Sequence, residues 1–316
     1  MNFNINSGYG AALAHALHAQ VPLSGKLFVV GDSGTKNLDV IKDIFVPDAE
    51  GEVRFFATIE AAIGACTANA GDVILVAPGH TEAVTNTSLN VDVAGVKIIG
   101  LGTGSLKPTL TFGATDSTIN VTAANCRLQN LRVQAGIDNV VTAFLHVTAA
   151  QNTEYVDIEF YATSTFNFIN CYTLGAANIS DGCRWERNYL RTADVGQLGL
   201  CVTAAAHNDL KFYDNYVVHA ATTAGLLTGG AAEFLGLDVR GNFVQTGQID
   251  GSVGVLVITT GTASSGRITD NDMKTADIAA NVAIPIASKV YAARNYIAGA
   301  NEVGTVVGVG TLFDNA

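Results

Sequence analysis

Apolar residues recur along this chain in pairs two positions apart, and the pairs themselves recur. The strings VKIIGLGT, CRLQNLRV, VDIEFYAT, CRWERNYL, LKFYDNYV, LDVRGNFV, GRITDNDM and VYAARNYI align so that Leu101, Leu131, Tyr161, Asn188, Asn215, Asn242, Asn271 and Asn295 share one column. The intervals are 30, 30, 27, 27, 27, 29 and 24 residues. Five and three residues before each marker stands a mostly apolar pair, from Val96/Ile98 through Cys126/Leu128, Val156/Ile158, Cys183/Trp185 and Leu210/Phe212 to Val290/Ala292. An i, i+2 pair of this kind is a strand with one buried face.

A second column runs beside the first. Val121, Val147, Leu174, Val202, Leu227, Ile258 and Ile286 follow one another at intervals of 26, 27, 28, 25, 31 and 28 residues. Two strand columns with one period mean one coil per period, and stacked coils bury what no single coil can. The pattern therefore predicts an all-β, single-stranded parallel β-helix of about eight coils of ~27 residues. Before the first coil, residues 57–68 predict a short helix, with Ile59, Ile63 and Cys66 on one face. A turn at 69–71 and an apolar strand at 73–77, stopped by Pro78 and Gly79, follow. The helix is expected to cap the open end of the solenoid, because a bare strand edge pairs with other chains. Residues 1–50 carry no coil and predict an attachment arm, leaving 51–316 as the β-helix with its cap.

The stretch from Phe56 to Gly79, FATIEAAIGACTANAGDVILVAPG, resembles the entry of the pectin-lyase-like superfamily of β-helices, with T-I-x-x-A-I followed by G-D-x-I-x-V-x-P-G. The resemblance spans roughly residues 55–300 and implies a right-handed coil. It does not imply one chemistry, since that superfamily holds lyases, hydrolases, phage tailspikes and non-enzymatic virion proteins. The chain also resembles bacteriophage virion β-helix proteins, either head decoration (cement) proteins or tail appendages.

Composition narrows the function. Of 316 residues only 14% are charged, with 17 basic and 28 acidic side chains and a net charge of -11. The apolar content of 48% excludes intrinsic disorder, and no apolar run is long enough for a membrane helix. The acidic balance argues against a nucleic-acid partner, which needs a basic stripe. Five cysteines without CxxC or Cys/His metal spacing read as free, mostly buried thiols, with no metal and no cofactor. The N-terminal MNFNINSGYGAALAHALHAQ lacks a basic n-region and is not expected to be a signal peptide. Synthesis in a host cytoplasm is the corresponding expectation.

The asparagine column, Asn188, Asn215, Asn242, Asn271 and Asn295, is read as a structural ladder at a coil corner, because Asn tolerates left-handed backbone and bonds back to it. Four before the marker, Lys97, Arg127, Asp157, Arg184, Lys211, Asp238, Arg267 and Tyr291 form an expected outward ladder in which Asp157 lies between Arg127 and Arg184, and Asp238 between Lys211 and Arg267. Two before it, Glu159 and Glu186 are expected as vertical neighbours, with Asp157 beside Glu159. Carboxylates about 5 Å apart suit a retaining glycosidase, so Asp157, Glu159 and Glu186 are the weak catalytic candidates. Arg127, Arg184 and Arg187 are expected to neutralise them, and no catalytic residue is assigned. The lone His80 and the scattered His146, His207 and His219 form no constellation. One past the marker, Tyr189, Tyr216, Phe243 and Tyr296 are candidates for subunit packing, plain stacking or glycan binding.

These readings lead to a non-enzymatic bacteriophage structural protein on the surface of the phage head. It is expected to form a homotrimer and to bind the major capsid protein or another virion protein through residues 1–50, with neither nucleic acid nor membrane as partner. The alternatives are a tailspike or tail fibre that binds or cleaves host polysaccharide, and a polysaccharide lyase or glycoside hydrolase.

Overall fold

The computed structural model describes residues 25–32, 54–86, 89–162, 165–191, 199–219, 225–229, 233–246, 256–257, 264–274, 282–283 and 289–298. Its strands fall into three long sheets of 11, 9 and 8 strands, paired in parallel, plus a two-stranded patch, His207–Asn208 with Phe234–Leu235. Each coil contributes one strand to the first sheet, one to the second and one to the third, so neighbours in a sheet are one period apart in sequence. In the coil that begins at Arg127 these are Arg127–Gln129, Arg132–Ala135 and Val140–His146. The chain is a parallel β-solenoid.

The first sheet carries the marker strings. Its register links Lys97, Arg127, Glu154, Arg184, Lys211, Asp238, Arg267 and Tyr291 in one outward row. One coil departs from the expected alignment by three residues: Glu154, not Asp157, stands between Arg127 and Arg184. The inward pair there is Thr153 and Tyr155, both buried, and Ile158 takes the marker position in place of Tyr161, which is exposed on the second sheet. Leu101 also leaves its expected column. It packs with Leu27, Phe55 and Ile99 against a small cluster of Val29, Val73 and Leu75, separate from the main core.

The second sheet follows the first after a single turn. Its inward row, Val133, Phe160, Leu190, Val217, Val244 and Met273, is buried in the same core. The third sheet differs from its expected column by one residue in two coils and by two in a third, where Leu227 stands beside Cys201. His146 and Thr203, not Val147 and Val202, are the in-register neighbours of Val121 and Leu174, and Val147 is exposed. Ile258 and Ile286 lie outside the described residues.

The core between the sheets is filled by rings stacked from coil to coil. Tyr155 lies over Trp185 with centroids 5.9 Å apart, and Trp185 over Phe212 at 4.7 Å and 8°. Parallel registration places like residues one above another, so a flat ring in one coil favours a flat ring in the next.

At the N-terminal end the helix is shorter than expected, Ile59–Gly64, with Thr58 as N-cap accepting a hydrogen bond from the Ala61 amide. Its buried face, Ile59, Ala62 and Ile63, packs against the strands Leu27–Val30, Phe55–Phe56, Val73–Val76 and Leu89–Val91. Leu27–Val30 falls within the expected arm. It nevertheless pairs with Val73–Val76 on one side and Phe55–Phe56 on the other, so this strand belongs to the first sheet. The remainder of the expected arm, residues 1–24 and 33–50, lies outside the described residues.

Candidate functional site

The first and second sheets meet at a two-residue turn whose first residue is left-handed in successive coils. Asn130, Asp157, Arg187, Asp214, Gly241, Asp270 and Arg294 have φ of 55, 57, 52, 54, 67, 60 and 52°. Gly, Asn and Asp enter this region most easily. The two arginines there are each clamped by the carboxylate one coil away. Arg187 donates to both Asp157 oxygens at 2.8 and 3.0 Å, and Arg294 to both Asp270 oxygens at 2.6 and 2.7 Å. Such bidentate charge-assisted pairs fix the turn. The left-handed residue is therefore the one before each marker asparagine, not the asparagine itself.

The asparagines stand just inside this turn. Asn188, Asn215, Asn242 and Asn271 are buried, and Asn295 is half-buried. Each side-chain oxygen accepts from the backbone N–H of the preceding marker: Ile158 to Asn188 at 3.0 Å, Asn188 to Asn215 at 3.0 Å, Asn215 to Asn242 at 3.0 Å, Asn242 to Asn271 at 2.9 Å and Asn271 to Asn295 at 3.1 Å. Each amide group donates to a first-sheet carbonyl, among them Trp185, Phe212 and Val239. The column thus satisfies backbone groups that the turn would leave unpaired.

The three acidic candidates do not come together. Glu186 pairs in register with Val156 on the first sheet, whereas Glu159 pairs with Arg132 and Tyr189 on the second. The expected vertical pair of Glu159 and Glu186 is overturned by the three-residue shift, and Asp157 occupies the turn between the sheets. Each acid meets cations. Arg132 donates to both Glu159 oxygens at 3.0 and 3.2 Å, with the Lys107 ammonium 3.7 Å away. Burial pushes the Lys107 amine below its usual value, against the opposing charge of Glu159. Glu186 contacts Arg184 and Arg187, and Glu154 lies 2.9 Å from Arg127. Lys107, Arg132 and Glu154 have no conspicuous spacing in the sequence, and only the register reveals their partners.

Farther along the first sheet, Arg267 donates to both Asp238 oxygens at 2.8 Å, and Tyr213 Oη donates to Asp238 at 2.7 Å. Burial pushes the Asp238 carboxyl up, but the hydrogen bonds from Arg267 and Tyr213 and the charges of Arg267 and Arg240 outweigh it and hold it below the usual range. The Arg240 guanidinium lies 4.2 Å from the Tyr213 ring centre. Arg184, Glu186, Tyr213, Asp214, Arg240 and Asp270 line an open groove of about 500 Å³ along the turn. It offers charged and hydroxyl hydrogen-bonding groups beside one aromatic ring, which suits a polar ligand.

The four outward aromatics occupy the second sheet in register, with Asp272 between Phe243 and Tyr296. Tyr189 and Tyr216 are 5.1 Å apart at 5°, and Tyr216 and Phe243 4.8 Å apart at 9°. Rings stacked this closely cover one another's faces, so the row presents ring edges to its surroundings. A sugar ring, which binds to an aromatic face, finds the faces between these three already occupied.

Two of the histidines expected to be scattered, His146 and His207, belong to the interior. His146 is buried, with Nδ1 2.7 Å from Ser180 Oγ and Nε2 2.6 Å from Tyr155 Oη, and His207 Nε2 lies 3.1 Å from Thr203 Oγ1. Burial, with a smaller contribution from His207, lowers the His146 pKa to about 3. All five cysteines are free thiols, and burial raises Cys183 to about 12 and Cys126 to about 11. Among the described residues no three His, Cys, Asp or Glu side chains are grouped to hold a metal ion. No family model, no curated protein and no solved structure matches this chain.

Proposed function

We propose that the chain is a non-enzymatic structural protein of a bacteriophage particle. In this reading it is a pectin-lyase-like, right-handed β-helix that decorates or cements the head surface as a homotrimer, held to a capsid protein through residues 1–50. The observation that carries the reading is the use of the acidic candidates. Asp157, Glu159 and Glu186 are divided among two sheets and a turn, and each is paired with a cation of its own or an adjacent coil. Charges fixed in this way stiffen a rod and leave no acid and base facing each other. The charge-poor composition agrees with a surface that is covered by partners.

The attachment is tested by removing residues 1–21, which precede the first strand of the solenoid at Leu27. The truncated protein is expected to keep its strand signal in circular dichroism and to lose sedimentation with undecorated heads. Full occupancy by the truncated protein would refute attachment through the arm.

The groove beside Tyr213 and Arg240 favours the second reading, a tailspike that engages a host glycan. Incubation with capsular or lipopolysaccharide glycans is expected to release no reducing ends or unsaturated sugars. Turnover that disappears in Glu159→Gln or Glu186→Gln would replace the structural reading with the tailspike.

A further inference from the structure

The outside of the solenoid is divided by charge. Every Lys and Arg after residue 54 lies at 97–107, 127–132, 184–191, 211, 240, 267–274 or 289–294. These positions are in strands of the first and second sheets, or in the loop or turn that joins the two. The segments that form the third sheet and its flanks contain no Lys or Arg at all. Acids do stand there: Asp92, Asp116, Asp138 and Glu233 are exposed on the described flanks. Among the described residues the outward positions of the third sheet itself are uncharged, with Asn90, Asn120, Leu145, Thr173 and Val202 all half-exposed. Val141, Val147, Phe166 and Leu235 are exposed on or beside it.

The opposite sign prevails on the first sheet. Lys97, Arg127, Arg184, Lys211, Arg267 and Lys289 point outward there, against Glu154, Glu186 and Asp238. A surface selected only for solubility mixes both signs. Here the cations after residue 54 are confined to two of the rod's three sides, in a chain whose net charge is -11. Both faces run along the stack with the spacing of the coils, so they match over their whole length when two rods lie side by side. Two different faces of one chain in contact make a heterologous interface, and such an interface closes into a ring when its rotation allows.

We propose that the third-sheet face of one copy, with its acidic flanks, packs against the cationic first-sheet face of the next copy, and that this contact closes the homotrimer. The inference rests on the homotrimer reading above and identifies its two surfaces. Electrostatic complementarity sets the register, and the uncharged centre of the third sheet supplies the apolar contact.

The test is sedimentation velocity of the full chain and three charge variants at low and high salt. One variant carries Asp116→Lys, Asp138→Lys and Glu233→Lys, another Lys97→Glu, Lys211→Glu and Lys289→Glu, and the last carries all six. None of the six side chains belongs to the asparagine ladder or to an ion pair described above, so each variant is expected to keep the parent's circular dichroism. The parent is expected to sediment as a trimer, more weakly at high salt. Each triple variant is expected to dissociate at concentrations at least about tenfold higher than the parent, from like charges brought face to face. The six-fold variant exchanges the two signs and is expected to regain the trimer. A trimer indifferent to both triple variants would overturn the assignment of faces while leaving the oligomer. A monomeric parent would overturn both, and salt-sensitive retention of that monomer on heparin would give the cationic face to a polyanionic polymer.

Discussion

Asn242→Ala is expected to lower the stability of the protein by about 3 kcal/mol, the scale of leaving buried polar groups unpaired. The side chain serves both neighbouring coils. Its oxygen accepts from the Asn215 amide N–H at 3.0 Å and from Asn215 Nδ2 at 2.8 Å, and its own Nδ2 donates to the Phe212 carbonyl at 2.9 Å and to Asn271 Oδ1 at 2.9 Å. Alanine leaves these groups inside the corner with no room for several replacing waters. The same substitution at Asn295, the half-buried last rung, is expected to cost about 1 kcal/mol, because water can take over part of the bonding. Urea midpoints of the two variants measure the gradient. Equal stability of Asn242→Ala and the parent would show that the ladder does not hold the corner.

Acid is expected to weaken the fold well before its carboxylates titrate, through His146. Its folded-state pKa is about 3, against the ordinary value of 6.5. Above pH 6.5 the ring is neutral in both states and contributes no pH dependence. Between 6.5 and 3 the unfolded chain binds a proton that the folded chain refuses, so stability falls as pH falls, by up to about 1.4 kcal/mol per pH unit. From pH 7.5 to 5 the loss from this residue is about 2 kcal/mol. His207, also lowered chiefly by burial, adds in the same direction. His146→Gln is less stable at neutral pH but removes this slope, and the difference between variant and parent should narrow by that amount at pH 5. A difference that stays constant with pH would mean that His146 takes up a proton as readily in the folded protein as in the unfolded chain.

Much of this architecture is legible in the sequence, and the exceptions have physical causes. The marker strings give the first sheet because a buried i, i+2 pair followed by Asn is repeated with little change. The slip in the third string arises because Val156/Ile158 makes as good an apolar pair as Thr153/Tyr155. What decides between them is stacking of Tyr155 between Leu128 and Trp185, which lie in other coils. Three residues of slip move Asp157 and Glu159 out of the first sheet, and the expected acid pair disappears with them. The second sheet was present in the tails of the same strings. A bend made by one left-handed residue leaves no gap in the pattern, so two strands read as one. His146 and Thr203 face inward against their polarity, because the core offers them hydroxyl and imidazole partners in Ser180, Tyr155 and His207. The clustering of Lys and Arg after residue 54 is legible in the sequence, but it becomes a confinement to two sheets only when the coils are placed on three sides of a rod.

The central claim is that this solenoid belongs to the shell of a virus particle, and the copy number of the protein in purified virions tests it most directly. Quantitative mass spectrometry against the major capsid protein is expected to find on the order of hundreds of copies per particle, as closed symmetric decoration of a head requires. A number on the order of three to eighteen would place the protein in a tail appendage. Its absence from the purified particles would contradict the account altogether.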